Sequence, residues 1–419
     1  MVSIIEKVKY MAGFPARVVR KHRKRKEYID YVCAASGWTR KETIAAMKKA
    51  NKEGISYKYF AKKRLWNQSD EEISRALKKQ AVKRKQNAPD MEHAIEEVIH
   101  ATGWSRLTAE ENMKEARRNC GSSFKDYCRF RLYEKTPEQQ REYFTLGIFE
   151  SLAFKYNPDP DAVKVLLQKS RFARKFSKEF NRIWFVNRDL TFDEFLKKTD
   201  GLDQLICKPL SSTQGKGILQ IKFSDFENLQ AVYDELMGMK KMICEECIIQ
   251  HPAIAAFNSS SVNTVRVLTI VDGIGETKKC HPVYAGFRMG RGALVDNFHA
   301  GGIIASVDPA TGITITDAID LDGNHYPVHP VSGLPTQGFQ LPNWNKVLEI
   351  TEKAALKLAV KIDENGKATG AGMVGWDVAI TADGACLVEG NSEPSHTIIQ
   401  LPFIESGIGM RHLVDEFLN

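Results

Sequence analysis

Residues 373–391, reading MVGWDVAITADGACLVEGN, constrain this chain more than any other stretch. Two apolar runs flank Asp383-Gly384, a dipeptide that favours a tight hairpin turn. With a loop of Ala382-Asp383-Gly384, Thr381 pairs with Ala385 and Asp377 lies directly opposite Glu389. Two carboxylates facing each other across a strand pair repel. Asn391, two residues further, shares their face. A hard divalent cation removes the conflict, and Mg²⁺ takes a few protein oxygens with substrate phosphates completing its shell. The competing reading is an exposed acidic pair. The apolar residues on both strands favour burial, so Asp377, Glu389 and Asn391 are expected to ligate a metal.

Four further segments carry chemistry with less force. Cys207–Gly217, CKPLSSTQGKG, has Lys208 leaving a strand into a loop with Ser211, Ser212, Gly215 and Gly217. Such a loop can cradle phosphate oxygens on its N–H groups, although a plain glycine turn is the favoured reading of this segment alone. Cys244–Gln250 is an apolar strand with Glu245 and Glu246, whose edge could meet an adenine with a glutamate near the ribose. Arg266 sits among Val262, Val265, Val267 and Leu268 and is expected to be at least partly buried. A buried arginine needs an anionic partner, either a ligand phosphate or a structural carboxylate; the former is preferred. Arg288 ends a strand, and Asp296-Asn297 and Gly301-Gly302 follow it. His251, His299, His329 and His396 lie near these motifs. A satisfied structural role is the better reading for each, with contact to an acceptor as the alternative.

The first 150 residues differ in texture. They carry 33 basic and 20 acidic side chains, a net charge of +13, against −5 for the remainder. Ser36-Gly37-Trp38-Thr39-Arg40 returns as Thr102-Gly103-Trp104-Ser105-Arg106, and Met47-Lys48 as Met113-Lys114, both at an offset of 66. Arg64-Leu65-Trp66 returns as Arg131-Leu132-Tyr133 at 67. Ser69 with Glu72 and Thr136 with Gln139 form capping-box patterns, Thr39 with Glu42 caps another helix, and Pro137 occupies a favoured first helical position. Gly54 and Gly121 fall where helices should stop. Two similar helical units are expected, 31–85 and 92–148, within a helical domain 31–148 that follows a basic segment 1–30. The run Arg20–Lys26 is read first as a solvated helix face and second as a contact with an anionic membrane surface or acidic partner. Nucleic acid is disfavoured, since no aromatic stacking platform accompanies it. No apolar run reaches the ~20 residues of a membrane span, and no secretory h-region is present, so a cytoplasmic location is expected. The eight cysteines agree with that location, and Cys244 and Cys247, with C-x-x-C spacing but no second pair, are read as ordinary reduced cysteines. From about 150 onward, strand-like runs alternate with helical segments 226–239 and 344–361, an α+β pattern. Met242–Gln250 is read as one continuous strand.

The order of these pieces resembles the ATP-grasp superfamily, including glutathione synthetase and ribosomal-protein glutamate ligases. Gln250-His251-Pro252, Ser261–Arg266, Asp296-Asn297 with Gly301-Gly302, Gly375-Trp376-Asp377 and Glu389-Gly390-Asn391 are most similar to the sugar-transfer-associated ATP-grasp family. The resemblance covers about 150–419 and is loose before 200. It implies an ATP-grasp fold, two α+β subdomains clasping ATP, in a catalytic domain 149–419 preceded by the all-α region with its duplicated unit. By the same resemblance Lys208 would contact the α/β-phosphates, and Ser211–Gly217 would close over them. Glu245, Glu246, Cys247 and Ile248 would hold the adenosine, with Glu246 toward the ribose. Asp377, Glu389 and Asn391 would ligate two Mg²⁺ ions. Arg266 and Arg288 would face the γ-phosphate or an acceptor carboxylate, and Asn297 and Gly302 belong to the ligand-binding set. Relatives have an earlier ATP-binding lysine on a helix, for which Lys169 is the candidate, a solvated helix lysine being the alternative. Unlike many relatives, the chain begins with a helical repeat rather than an α/β substrate domain. That departure leaves the substrate open.

The reaction implied is an Mg-ATP-dependent ligation. A small-molecule or peptide carboxylate becomes an acylphosphate, and an amine or another nucleophile attacks it. The alternatives are an ATP-dependent phosphotransferase acting on a sugar or alcohol, and a non-enzymatic helical module that binds a partner.

Overall fold

A computed structural model describes residues 25–26, 28–33, 36–52, 57–62, 88–210, 217–273, 275–292, 298, 301–362, 366 and 368–418. The described chain forms two compact units, one of residues 1–92 with 362–368 and one of 93–361 with 369–419. The first contains helices Arg40–Lys52 and Tyr57–Lys62, with Ile29, Val32, Met47 and Ala50 buried. The repeat reappears as helices Ala88–Thr102 and Arg106–Asn119, with Ile95, Val98, Met113 and Ala116, all in the second unit, buried at the equivalent positions.

The repeat extends to the turn that ends each first helix. The Ser36 hydroxyl donates to the Val32 carbonyl at 2.6 Å and accepts from the Trp38 N–H at 3.1 Å. Thr102 makes the same two bonds, to Val98 at 2.6 Å and from Trp104 at 3.2 Å. Gly37 and Gly103 take φ +73° and +69°, left-handed values that a residue with a Cβ adopts at a cost. The Thr136–Gln139 capping box, with Pro137 at the helix start, forms as expected. The Thr39–Glu42 pair also caps its helix. Ser69, Glu72, Gly54 and residues 20–24 lie outside the described residues.

Two sheets make up the rest of the larger unit. The smaller has order β1-β4-β2-β3, from β1 (Trp184–Val186), β2 (Gln204–Pro209), β3 (Leu219–Lys222) and β4 (Met242–Glu246), all antiparallel. Helices Phe192–Thr199 and Leu229–Gly238 close its core over Phe185, Phe195, Leu205 and Val232. The larger sheet starts from β5 (Thr264–Asp272), β6 (Lys279–Met289), β7 (Ile303–Val307), β8 (Ala318–Ile319) and β9 (His325–Tyr326). After a two-stranded ribbon of β10 (Lys361–Ile362) and β11 (Ala368–Thr369), it is completed by β12 (Met373–Thr381) and β13 (Gly384–Asn391), in order β13-β12-β5-β6-β7-β8-β9.

The large sheet is covered on both faces, which is why its strands read as nearly unbroken apolar runs. Val265, Val267, Val374 and Trp376 pack with the helix Trp344–Leu358 on one side. Leu268, Ile270, Ile304 and Met373 pack on the other with Tyr127, Phe130 and Phe144 of the second helical repeat and with Ile398 near the C-terminus. Among the described residues no helix is long and apolar enough to cross a membrane.

Two expectations need correction. The β12–β13 turn has two residues, because Thr381 pairs with Gly384 rather than with Ala385. An extra residue, Val388, bulges out of β13 where the register shifts between Asp377 and Val378, and the bulge restores the pairing of Asp377 with Glu389. The strand read as Met242–Gln250 ends at Glu246. Beyond it the chain leaves the small sheet and joins the large one, where the His251 N–H donates to the Ile380 carbonyl at 2.8 Å.

Candidate active site

Between the two sheets lies a cavity of about 400 Å³. Lys169, Glu245, Arg266, Arg288, Glu389 and Asn391 all line it, although they come from five separate stretches of chain. Apolar side chains of Leu166, Phe172 and Phe180 form another part of its wall.

The large sheet supplies one half. Asp377 faces Arg266 across the β12–β5 pair and Glu389 across β12–β13. Arg266 grips both Asp377 oxygens, through Nε on Oδ1 and through NH2 on Oδ2 at 2.9 Å. Arg288 NH1, from β6, donates to the same Oδ2 at 2.8 Å. Burial works against the Asp377 charge, but the two guanidinium groups outweigh it and hold the carboxyl well below the usual carboxylate range. Glu389 is pushed the other way, by burial first and then by the neighbouring Asp377 charge. Asn391 Nδ2 lies 3.4 Å from Glu389 Oε1.

In this arrangement Arg266 has a carboxylate partner, and the same carboxylate engages Arg288. Asp377 therefore sits behind the arginines, while Glu389 and Asn391 line the cavity. The donors are all oxygen, and a cation would relieve the burial and the Asp377 repulsion that push the Glu389 carboxyl up. A set this small suits Mg²⁺, which leaves most of its shell to water and phosphates. Among the described residues no cluster of three or more His, Cys, Asp or Glu side chains is present that would cage a metal alone.

The small sheet supplies the other half. Glu245 is buried on β4 and accepts from Arg182 NH2 at 2.7 Å and from Lys208 Nζ at 2.9 Å. Burial pushes its carboxyl up, and Lys208 and Arg182 more than offset that, leaving it below its ordinary value. Lys208, expected at the phosphates, thus stands beside the cavity wall on a glutamate partner. Glu246 accepts from the Ile183 N–H at 3.0 Å, and Cys247 and Ile248 lie half-buried in the segment that crosses between the sheets. Lys169 opens a short helix; burial draws its ammonium pKa down, with Glu389 acting against that. Gly217 has φ +76°, and a Cβ there would meet the Pro209 ring at 3.1 Å. Gly302 is buried at the start of β7. Ser211, Ser212, Gly215, Asp296, Asn297 and His299 lie outside the described residues.

The other three histidines have structural partners. His251 caps a helix by accepting from the Ala253 N–H, His329 is buried against the Gly290 carbonyl at 2.8 Å, and His396 pairs with Asp126 at 2.8 Å. Sequence reasoning missed Arg182. Its partner is 63 residues away, and no local pattern marks it.

No curated protein matches the chain in sequence. Among similar solved structures is carboxyaminoimidazole ribonucleotide synthase from Aspergillus clavatus with ATP, at 12% identity and TM-score 0.32, covering 61% of this chain and 53% of that one. The D-alanine-D-alanine ligase from Coxiella burnetii has 12% identity and TM-score 0.33, covering 61% and 56%. The ATP-grasp ligase PsnB, with a precursor variant, Mg and ADP, has 14% identity and TM-score 0.31, covering 57% and 53%. The chain thus spans about half the length of the solved structures it matches. The profile of sugar-transfer associated ATP-grasp proteins matches residues 186–416, more than half of the sequence. The two sheets, the cavity between them and that match together place this chain in the sugar-transfer associated ATP-grasp family, with the ATP-grasp fold.

Proposed function

We propose that the protein is an Mg-ATP-dependent ligase that activates a substrate carboxylate as an acylphosphate for attack by an amine or another nucleophile. The observation that carries this reading is the convergence of cationic and oxygen-donor groups on one cavity. Lys169, Arg266, Arg288, Glu245, Glu389 and Asn391 line it, and Lys208 and Arg182 pair with Glu245 beside it. Arginine and lysine next to a small oxygen-donor set suit a metal-bound polyanion such as a triphosphate. Glu389 and Asn391 would hold Mg²⁺, which supplies charge neutralisation between the phosphates.

The chain's own groups then position and stabilise. Lys169 and Lys208 would bind phosphate oxygens, and Glu245 through Ile248 would bracket the adenosine. Arg266 and Arg288, fixed by Asp377, present a rigid cationic face to charge developing on the transferred phosphoryl group. The substrate carboxylate oxygen forms a bond to the γ-phosphorus as ADP leaves. The amine nitrogen then bonds to the acyl carbon, inorganic phosphate departs, and the amine proton is lost. We place this catalysis in residues 149–419, with the helical units 31–85 and 92–148 and the basic segment 1–30 preceding it, and the protein in the cytoplasm.

The test is ADP and phosphate release with Mg-ATP over a panel of carboxylates crossed with amines, with mass spectrometry of products. Phosphate release that requires both co-substrates supports ligation. Phosphate retained on a sugar or alcohol identifies a phosphotransferase instead. Absence of Mg-ATP binding favours a partner-binding module.

A further inference from the structure

Arg182 belongs to no expected motif, yet its side chain is 4% exposed and every direction of its guanidinium is used. NH1 donates to the carbonyls of Leu387 at 2.7 Å and Phe180 at 3.1 Å. NH2 and Nε donate to one oxygen of Glu245, at 2.7 and 3.1 Å. The guanidinium carbon lies 3.3 Å from the centre of the Phe180 ring. Leu387 is on β13, two residues before Glu389, and Glu245 is on β4, so one side chain ties the two sheets together beside the cavity.

The same Glu245 oxygen also takes the Lys208 ammonium at 2.9 Å. A buried carboxylate with one cationic neighbour would hold that neighbour tightly. With two, its charge is shared, and each cation keeps capacity for another anion. Of the two, Arg182 is the one fixed by backbone carbonyls and an aromatic face. Lys208 rests on a flexible stem and is the more exposed, at 14%.

We propose that Arg182 is a positioning residue for nucleotide binding: anchored on Leu387 and Phe180, it takes a share of the Glu245 charge and so leaves the Lys208 ammonium available to a phosphate. This rests on the ATP-site reading above. It assigns Arg182 no contact with nucleotide; its effect passes through Glu245.

The test is a double-mutant cycle on the full chain, reading Mg-ATP affinity by calorimetry and folding by thermal unfolding. Arg182→Gln should weaken Mg-ATP binding roughly tenfold or more, because Glu245 then captures Lys208 alone. Arg182→Lys, which restores a cation beside Glu245, should recover most of that loss. Arg182→Gln in a Glu245→Gln background should cost no further affinity relative to Glu245→Gln. A merely structural role moves the unfolding temperature in both backgrounds and leaves that pattern absent. If Arg182→Gln does not fold, the comparison within the Glu245→Gln background still decides, and a further loss there overturns the proposal. Wild-type affinity unchanged by Arg182→Gln overturns it alone; no Mg-ATP binding by the wild type overturns the ATP-site reading and this inference with it.

Discussion

Asp377 shows how much one buried residue can hold. It is almost wholly buried and carries a pair of arginines from two neighbouring strands. Asp377→Asn keeps the shape but removes the charge, leaving Arg266 and Arg288 without the carboxylate that both of them grip. Breaking a buried pair in this way costs roughly 3–5 kcal/mol, and urea unfolding should show a loss of that order. The position of Asp377 opposite Glu389 was legible in the sequence, because period-two alternation and flanking apolar residues fix which side chains share a buried face. That Asp377 would hold both arginines was not. Arg266 and Arg288 reach it across β5 and β6, and pairing between distant strands leaves no local signature. The pairing of Arg182 with Glu245 was hidden for the same reason.

At the scale of elements, helix caps were the most readable features. A capping box, a proline at a helix start and a glycine at a helix stop each act within four residues, and among the described residues Thr136–Gln139, Pro137 and Gly121 appear where the local pattern put them. The bulge at Val388 was not readable. Its extra residue compensates a shorter turn, and only the pairing of both strands reveals it. Gly103→Ala tests the repeat turn directly. Beyond its own chain neighbours nothing lies within 4 Å of the added methyl, so the left-handed backbone sets the penalty. That is about 1–2 kcal/mol by denaturant unfolding. The Asp126–His396 pair tests the seam between the second helical repeat and the segment after Asn391. Burial disfavours the Asp126 charge, but His396 and the N–H groups of Ser123 and Leu146 outweigh it and lower its pKa. A folded-state pKa below the unfolded value gives stability that is fully present above the unfolded value and lost as pH falls through the folded one. Below about pH 4, therefore, the unfolding free energy of the wild type should drop more steeply with pH than that of Asp126→Asn. Equal slopes would mean that the pair carries none of the acid sensitivity.

At the scale of the larger unit, the second helical repeat and the large sheet share one apolar core. Tyr127, Phe130 and Phe144 belong to the same apolar cluster as Leu268, Ile304 and Ile398. A fragment of residues 149–419 would expose one face of the large sheet. It should be insoluble or lack a cooperative thermal transition, whereas the full chain should show one; a well-folded fragment would contradict this shared core. The sequence announced the repeat by its offset and the sheet by its apolar runs. It could not announce that one covers the other, because that contact depends on packing between segments more than a hundred residues apart.

The account as a whole turns on whether the cavity between the sheets binds Mg-ATP through Glu389. Calorimetric titration of Mg-ATP into the wild type and into Glu389→Gln tests this most directly. Saturable binding by the wild type that needs Mg²⁺, with the Mg²⁺-dependent gain lost in a folded Glu389→Gln variant, is the expected result. Equal Mg-ATP affinity in the two proteins, or none in the wild type, would contradict it.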